Sequence, residues 1–214
     1  MPYGYLGQNQ PNQTVSNSGV FSITDVNSLI AEGKFGGSLQ LIQEYDATSG
    51  DYFDFTNLGS YKIHFLDFYD ISATGATELY VRLSNDGGST FIASGYHYAL
   101  QLGRSDGFFT GANSTTSTDI RLACRVASGR ESNGFLYLYD LINPNKYSYG
   151  ITHNISLDND ASASLKFIYG NYVYPTAETH NALRVFISSS YSLNGAGKIR
   201  LFGLQEKKVW VQWD

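Results

Sequence analysis

Cysteine, proline and charge are all scarce in this 214-residue chain: one Cys, four Pro, and 15% charged residues. With a single Cys124 no internal disulfide can form, so the fold cannot depend on a disulfide framework, which suits assembly in a reducing cytoplasm. Within IRLACRV that cysteine reads as a small buried hydrophobe. A catalytic thiol would need an activating histidine, and the sequence ties none of the four histidines to it. The 14 Lys and Arg are scattered and the formal charge is −5, so there is no basic footprint for a nucleic-acid backbone. No apolar run reaches the roughly 18 residues of a membrane-spanning helix. The opening MPYGYLGQNQ has neither a positive region nor an apolar stretch, so it is not read as a secretory signal.

Tyrosine (17) and glycine (22) are plentiful. Residues 1–19 hold Asn, Gln, Ser and Gly without apolar periodicity, and read as an extended or disordered N-terminal arm. Residues 20–36 read as a short helical connector, with Thr24 or Asp25 as cap, Val26, Leu29 and Ile30 at helical spacing, and Gly33 as the stop. From there to residue 203 the pattern has period two. SLQLIQEY, YKIHFLDFY, ELYVRLS, STFIASGYHYALQL, DIRLACRV, GFLYLYDL, YSYGITHNI, ASLKFIYG, ALRVFISS and GKIRLFGL are rich in β-branched and aromatic residues and bounded by Gly, Asn, Asp and Ser. Many short strands, almost no helix and a chain long enough for a sizeable core predict an all-β fold. The expected form is an antiparallel β-sandwich of jelly-roll type over residues 37–203. Residues 204–214 add one more alternating segment, read as a C-terminal strand extension.

The cluster Asn85-Asp86-Gly87-Gly88 invites three readings. A phosphate cradle would lead into a helix, whereas STFIASGY reads as strand. A calcium loop needs six or more oxygen ligands, and Asp86 is the sole acid there; Asp158 and Asp160 in LDNDAS are likewise too few. A hairpin turn remains, since these residues accept positive φ. Catalytic patterns are missing: no GxSxG, and no metal-ligand spacing among His64, His97, His153 and His180. The carboxylate pairs Asp51/Asp54 and Asp67/Asp70 read as turn and strand-end chemistry rather than as a glycosidase pair. The expectation is a non-enzymatic protein with no catalytic, cofactor or metal site.

Tyrosines recur at every second residue in three places. Tyr137/Tyr139, Tyr147/Tyr149 and Tyr172/Tyr174 should each share a face, as a core or subunit-interface stripe or as a sugar-stacking platform. In the tail, Val209 and Val211 lie opposite Trp210; with Trp213 they are read as a docking strand.

Three segments resemble a family of bacteriophage virion structural proteins found among marine and cyanobacterial phages. They are LGQNQPNQTVSNSGVFSITDV…GKFGGSLQLI (6–42), DFTNLGSYKIHFLDFYDI…ELYVRLSNDGGSTFIASGYHY (54–98) and LRVFISSSYSLNGAGKIRLFGL (183–204). The continuation LQEKKVWVQWD departs from that pattern. The resemblance implies a jelly-roll domain of the capsid-decoration or head/tail-fibre type, located in the virion and assembled in the host cytoplasm. It implies other virion proteins and further copies of the chain, a trimer being favoured, as partners. An alternative is an adhesion module that binds a host-surface receptor or glycan.

Overall fold

The computed structural model describes Thr24, residues 39–157 and residues 164–204. Two compact units divide the chain, 1–40 and 41–214. Of the first, only Thr24, which is helical, and Leu39 and Gln40 at the start of a strand are described. Apart from Thr24, the expected arm and connector, the Asp158/Asp160 loop, and Val209, Trp210, Val211 and Trp213 lie outside the described residues.

The described chain is almost entirely β and forms two antiparallel sheets packed together. Twelve strands follow one another among the described residues: β1 (Leu39–Asp46), β2 (Tyr52–Phe55), β3 (Ile63–Ile71), β4 (Thr77–Ser84), β5 (Tyr96–Arg104), β6 (Phe109–Ser117), β7 (Ile120–Val126), β8 (Ser132–Tyr139), β9 (Ser148–Leu157), β10 (Leu165–Tyr174), β11 (Ala182–Phe186) and β12 (Lys198–Leu204). The large sheet has the order β1-β12-β3-β8-β9-β10-β5-β6, and the small sheet β2-β11-β4-β7.

Setting aside the hairpins β5–β6 and β9–β10 leaves eight strands. Among these the first pairs with the eighth, the second with the seventh, the third with the sixth and the fourth with the fifth. A long hairpin rolled into a double-sheet sandwich generates this nesting, so the strand order is that of a jelly roll. The two inserted hairpins prolong the large sheet by four strands beyond β8.

The core lies between the sheets. Leu66, Phe68, Leu136, Leu138, Ile199 and Leu201 of the large sheet face Phe55, Leu79, Val81, Leu122, Leu183 and Val185 of the small one, all essentially inaccessible to solvent. The alternation in YKIHFLDFY is realised as expected: Leu66 and Phe68 point inward, Phe65 and Asp67 outward. Two strands carried no recognisable sequence signal. β2 is only four residues long, and β6 (FTGANSTTS) is a mostly exposed edge strand with little apolar alternation.

The stretch RLSNDGGSTF does not close a hairpin, which corrects the expectation. β4 belongs to the small sheet and β5 to the large one, so the segment crosses between sheets. Gly87 and Gly88 adopt φ of 76° and 90°, the left-handed region that glycine enters without Cβ strain. Ser84 Oγ donates to Asp86 Oδ1 (2.8 Å) and accepts from Gly88 N (2.9 Å), while Thr90 N and Oγ1 donate to the Asp86 carboxylate at 2.9 and 2.6 Å. Those donors, led by the Thr90 hydroxyl, pull the Asp86 pKa down to about 2. Tyr96 anchors the far end: its buried hydroxyl accepts from Leu83 N (2.8 Å) and donates to Ile92 O (3.1 Å).

Candidate functional face and groove

The outward sides of the two sheets differ in kind. On the small sheet the charges are paired with one another. Arg184 makes a two-pronged contact to Asp54 (2.6 and 2.7 Å) and lies between the rings of Tyr52 and Phe91, at 4.1 and 4.2 Å from their centroids. Arg121 pairs with Glu78 at 3.0 Å, and Arg82 with Asp119 at 3.7 Å while covering Phe186. Arg82, Arg121 and Arg184 on this face each have a carboxylate partner.

The large sheet presents an apolar face. On β9 the burial alternates strictly, with Ser148, Gly150, Thr152, Asn154 and Ser156 turned in and Tyr149, Ile151, His153, Ile155 and Leu157 turned out. The usual relation is inverted for a physical reason: this part of the sheet lies over β7, an edge strand with backbone groups to satisfy. Asn154 Nδ2 donates to Leu122 O at 2.7 Å, and the Tyr172 hydroxyl donates to Arg121 O. Asn154 and Tyr172 thus satisfy two carbonyls of β7 from inside, and the apolar side chains of β9 face outward.

The outward residues form a continuous aromatic path. Phe202 on β12 meets Phe65 on β3, which meets Phe135 and Tyr137 on β8. Phe135 touches His153 on β9, His153 touches Tyr169 on β10, and Tyr169 stacks on Phe167, which reaches Phe109 on β6. Between the last two, Phe167 lies across Gly103 of β5. A Cβ there would fall 2.3 Å from its ring, so the close approach requires glycine. Register and alternation place no Asp, Glu, Lys or Arg on the outward side of β8, β9, β10, β5 or β6. Arg200, farther along at β12, is held by Asp67, with a 2.9 Å Nε–Oδ1 bond.

Seven apolar side chains of this face stand 38–63% exposed: Phe109, Tyr149, Ile151, Ile155, Leu157, Leu165 and Tyr169. With ring side chains offering about 200 Å² each and aliphatic ones somewhat less, they expose on the order of 650 Å². That exceeds the usual largest apolar patch of a monomer, about 300–600 Å². It approaches the ~800 Å² that each partner buries in a stable complex.

At one margin of the face, His97, Ala99, Asn113, Tyr149, Asn171 and Val173 line a groove of ≈ 410 Å³. Tyr149, Val173 and His97 fall in one row across β9, β10 and β5, and Asn171, Ala99 and Asn113 in the next across β10, β5 and β6.

The tyrosines singled out in the sequence separate accordingly. Tyr137 and Tyr139 lie on the outer face with rings stacked at 6.4 Å. Tyr149 joins them, while Tyr147 is exposed just ahead of β9. Tyr172 and Tyr174 share a face as expected, but it is the inner one. Tyr172 is 3% exposed and its hydroxyl is engaged with β7, so it belongs to the core rather than to an exposed interface. Tyr174 packs against Tyr96 and His180.

Of the carboxylate pairs, Asp54 is paired with Arg184 and Asp67 with Arg200. One constellation escaped the sequence because it joins distant elements. Ser148 Oγ and His180 Nδ1 are hydrogen-bonded at 2.8 Å, and His180 Nε2 lies 3.2 Å from Glu178 Oε1, off the line of a hydrogen bond. Burial lowers the His180 pKa, against the opposite pull of Glu178. Ser148 and His180 are 3% and 0% exposed, while the Glu178 side chain is 27% exposed. His64 is also buried, donating from Nε2 to Leu58 O at 2.8 Å, and burial lowers its pKa. Among the described residues no group of three or more His, Cys, Asp or Glu could hold a metal ion.

Comparison with known proteins finds no family model that matches the chain and no curated protein similar to it.

Proposed function

We propose that the chain is a non-enzymatic structural protein of a phage particle, a capsid-decoration or head/tail-fibre component, that assembles with copies of itself through the outer face of its large sheet. The observation that carries the assembly reading is the charge-free aromatic face across β8, β9, β10, β5 and β6. Depletion of charge with enrichment in Tyr and Phe is the composition of interface centres. The small sheet, with its charges already paired, is the side suited to remain in water. The virion setting is supported by the three segments that resemble phage structural proteins.

The test is the solution mass of the protein over a range of concentrations, by light scattering and sedimentation. The wild type should form a closed oligomer, with a trimer favoured, and the double variant Ile155→Lys/Tyr169→Lys should be monomeric at the same concentrations. A wild type that stays monomeric at 100 μM-scale concentration (on the order of the weakest contacts worth considering) would rule out self-assembly through this face. Re-binding of the oligomer to particles lacking it tests the virion setting separately.

A further inference from the structure

The geometry points to the groove beside Tyr149 as a binding site for a neutral sugar. Asn171 and Asn113 point outward from β10 and β6 with only Ala99 of β5 between them. Two inter-strand spacings separate their Cα positions, about 9.6 Å. The small Ala99 side chain leaves a trough there, walled on both sides by an amide. Both amides are exposed to solvent, and neither has a hydrogen-bond partner among the described residues. Each offers a donor and an acceptor, the pair that adjacent sugar hydroxyls match.

The next row supplies a ring and an imidazole. Tyr149 is 46% exposed, and its free ring gives an apolar plane for the C–H face of a pyranose; His97 closes the row across Val173. A volume of ≈ 410 Å³ suits one or two sugar rings, within the range of small-ligand sites. No Lys, Arg, Asp or Glu lines the groove. Phosphate, sulfate, carboxylate and ammonium groups would lose hydration there without a counter-charge, so the ligand class is a neutral hexose at the end of an oligosaccharide. The groove lies at the margin of the apolar face, where assembly through the centre leaves it at the rim. The inference stands on the groove itself and does not rest on the assembly reading.

The experiment is binding of the full chain to an array of glucose-, galactose- and mannose-terminated oligosaccharides, with sialylated and sulfated ones alongside. Binding to a neutral member is expected. It should weaken about tenfold or more in Asn171→Ala, Asn113→Ala and Tyr149→Ala, and stay within about threefold in Tyr149→Phe, which keeps the ring. No neutral binding at millimolar sugar overturns the inference, as does a preference for the anionic glycans or binding indifferent to all three alanine variants. Circular dichroism verifies that each variant is folded, and the solution mass is read on the same samples. An oligomer that binds no sugar refutes this site alone; a monomer that binds one refutes assembly alone.

Discussion

Tyr96→Phe tests how the crossing between the two sheets is held. The change removes one oxygen and keeps a ring that is wholly buried. That oxygen accepts from Leu83 N at 2.8 Å and donates to Ile92 O at 3.1 Å. Leu83 lies in the core, so its N–H would be left without a partner, and a buried orphan of this kind costs about 1–3 kcal/mol. Taking about 2 kcal/mol, a chain of this size should lose about 4–8 °C in Tm. Urea unfolding followed by circular dichroism gives the free energy, and hydrogen exchange should show the Leu83 amide opening faster. Tyr98→Phe is the control, because the Tyr98 hydroxyl makes no hydrogen bond among the described residues and its loss should shift Tm little. A Tyr96→Phe protein within about 0.5 kcal/mol of wild type, the ordinary scatter of surface changes, would refute the latch.

Acid should weaken the fold from the histidines first. His64 and His180 have pKa values lowered by burial, so below pH 6.5 the unfolded chain takes up protons that the folded chain refuses. Stability should hold above that pH and fall below it, by up to about 1.4 kcal/mol per histidine per pH unit until each folded pKa is reached; a flat profile from pH 7 to 5 would contradict this. Asp86, lowered to about 2, adds its loss only below about pH 4. Since its oxygens are taken by Ser84 and Thr90, millimolar calcium should leave Tm unchanged, whereas Asp86→Ala should lower it; a saturable calcium-induced rise would show a site instead. Arg184→Ala should cost about 1 kcal/mol through the lost Asp54 pair and ring contacts, and an unchanged urea midpoint would mean that water replaces those contacts at no cost. In the assembly test, Ile155→Lys/Tyr169→Lys should keep the monomer's thermal stability near wild type, because both side chains already meet water; a large loss would place them in the core.

Alternation over SLQLIQEY, YKIHFLDFY and GKIRLFGL determined the all-β sandwich, because a period of two is a local property of the chain. It also determined which tyrosines share a face. Which face is inside is a different kind of information. GFLYLYDL and YSYGITHNI alternate in the same way, but β9 lies over the edge strand β7. Asn154 therefore turns in to satisfy a carbonyl of β7, Thr152 turns in and donates to Phe135 O of β8, and Ile151 and Ile155 turn out. Tyr172 follows the same rule: its hydroxyl is worth more against Arg121 O inside than in water. The nesting of the eight jelly-roll strands, the two inserted hairpins and the crossing at Asn85–Gly88 depend on pairings between residues up to about 160 positions apart, which no local pattern encodes. The groove belongs to this second class: Asn113, Tyr149 and Asn171 stand on three strands, and only the register of the large sheet brings their side chains to one place.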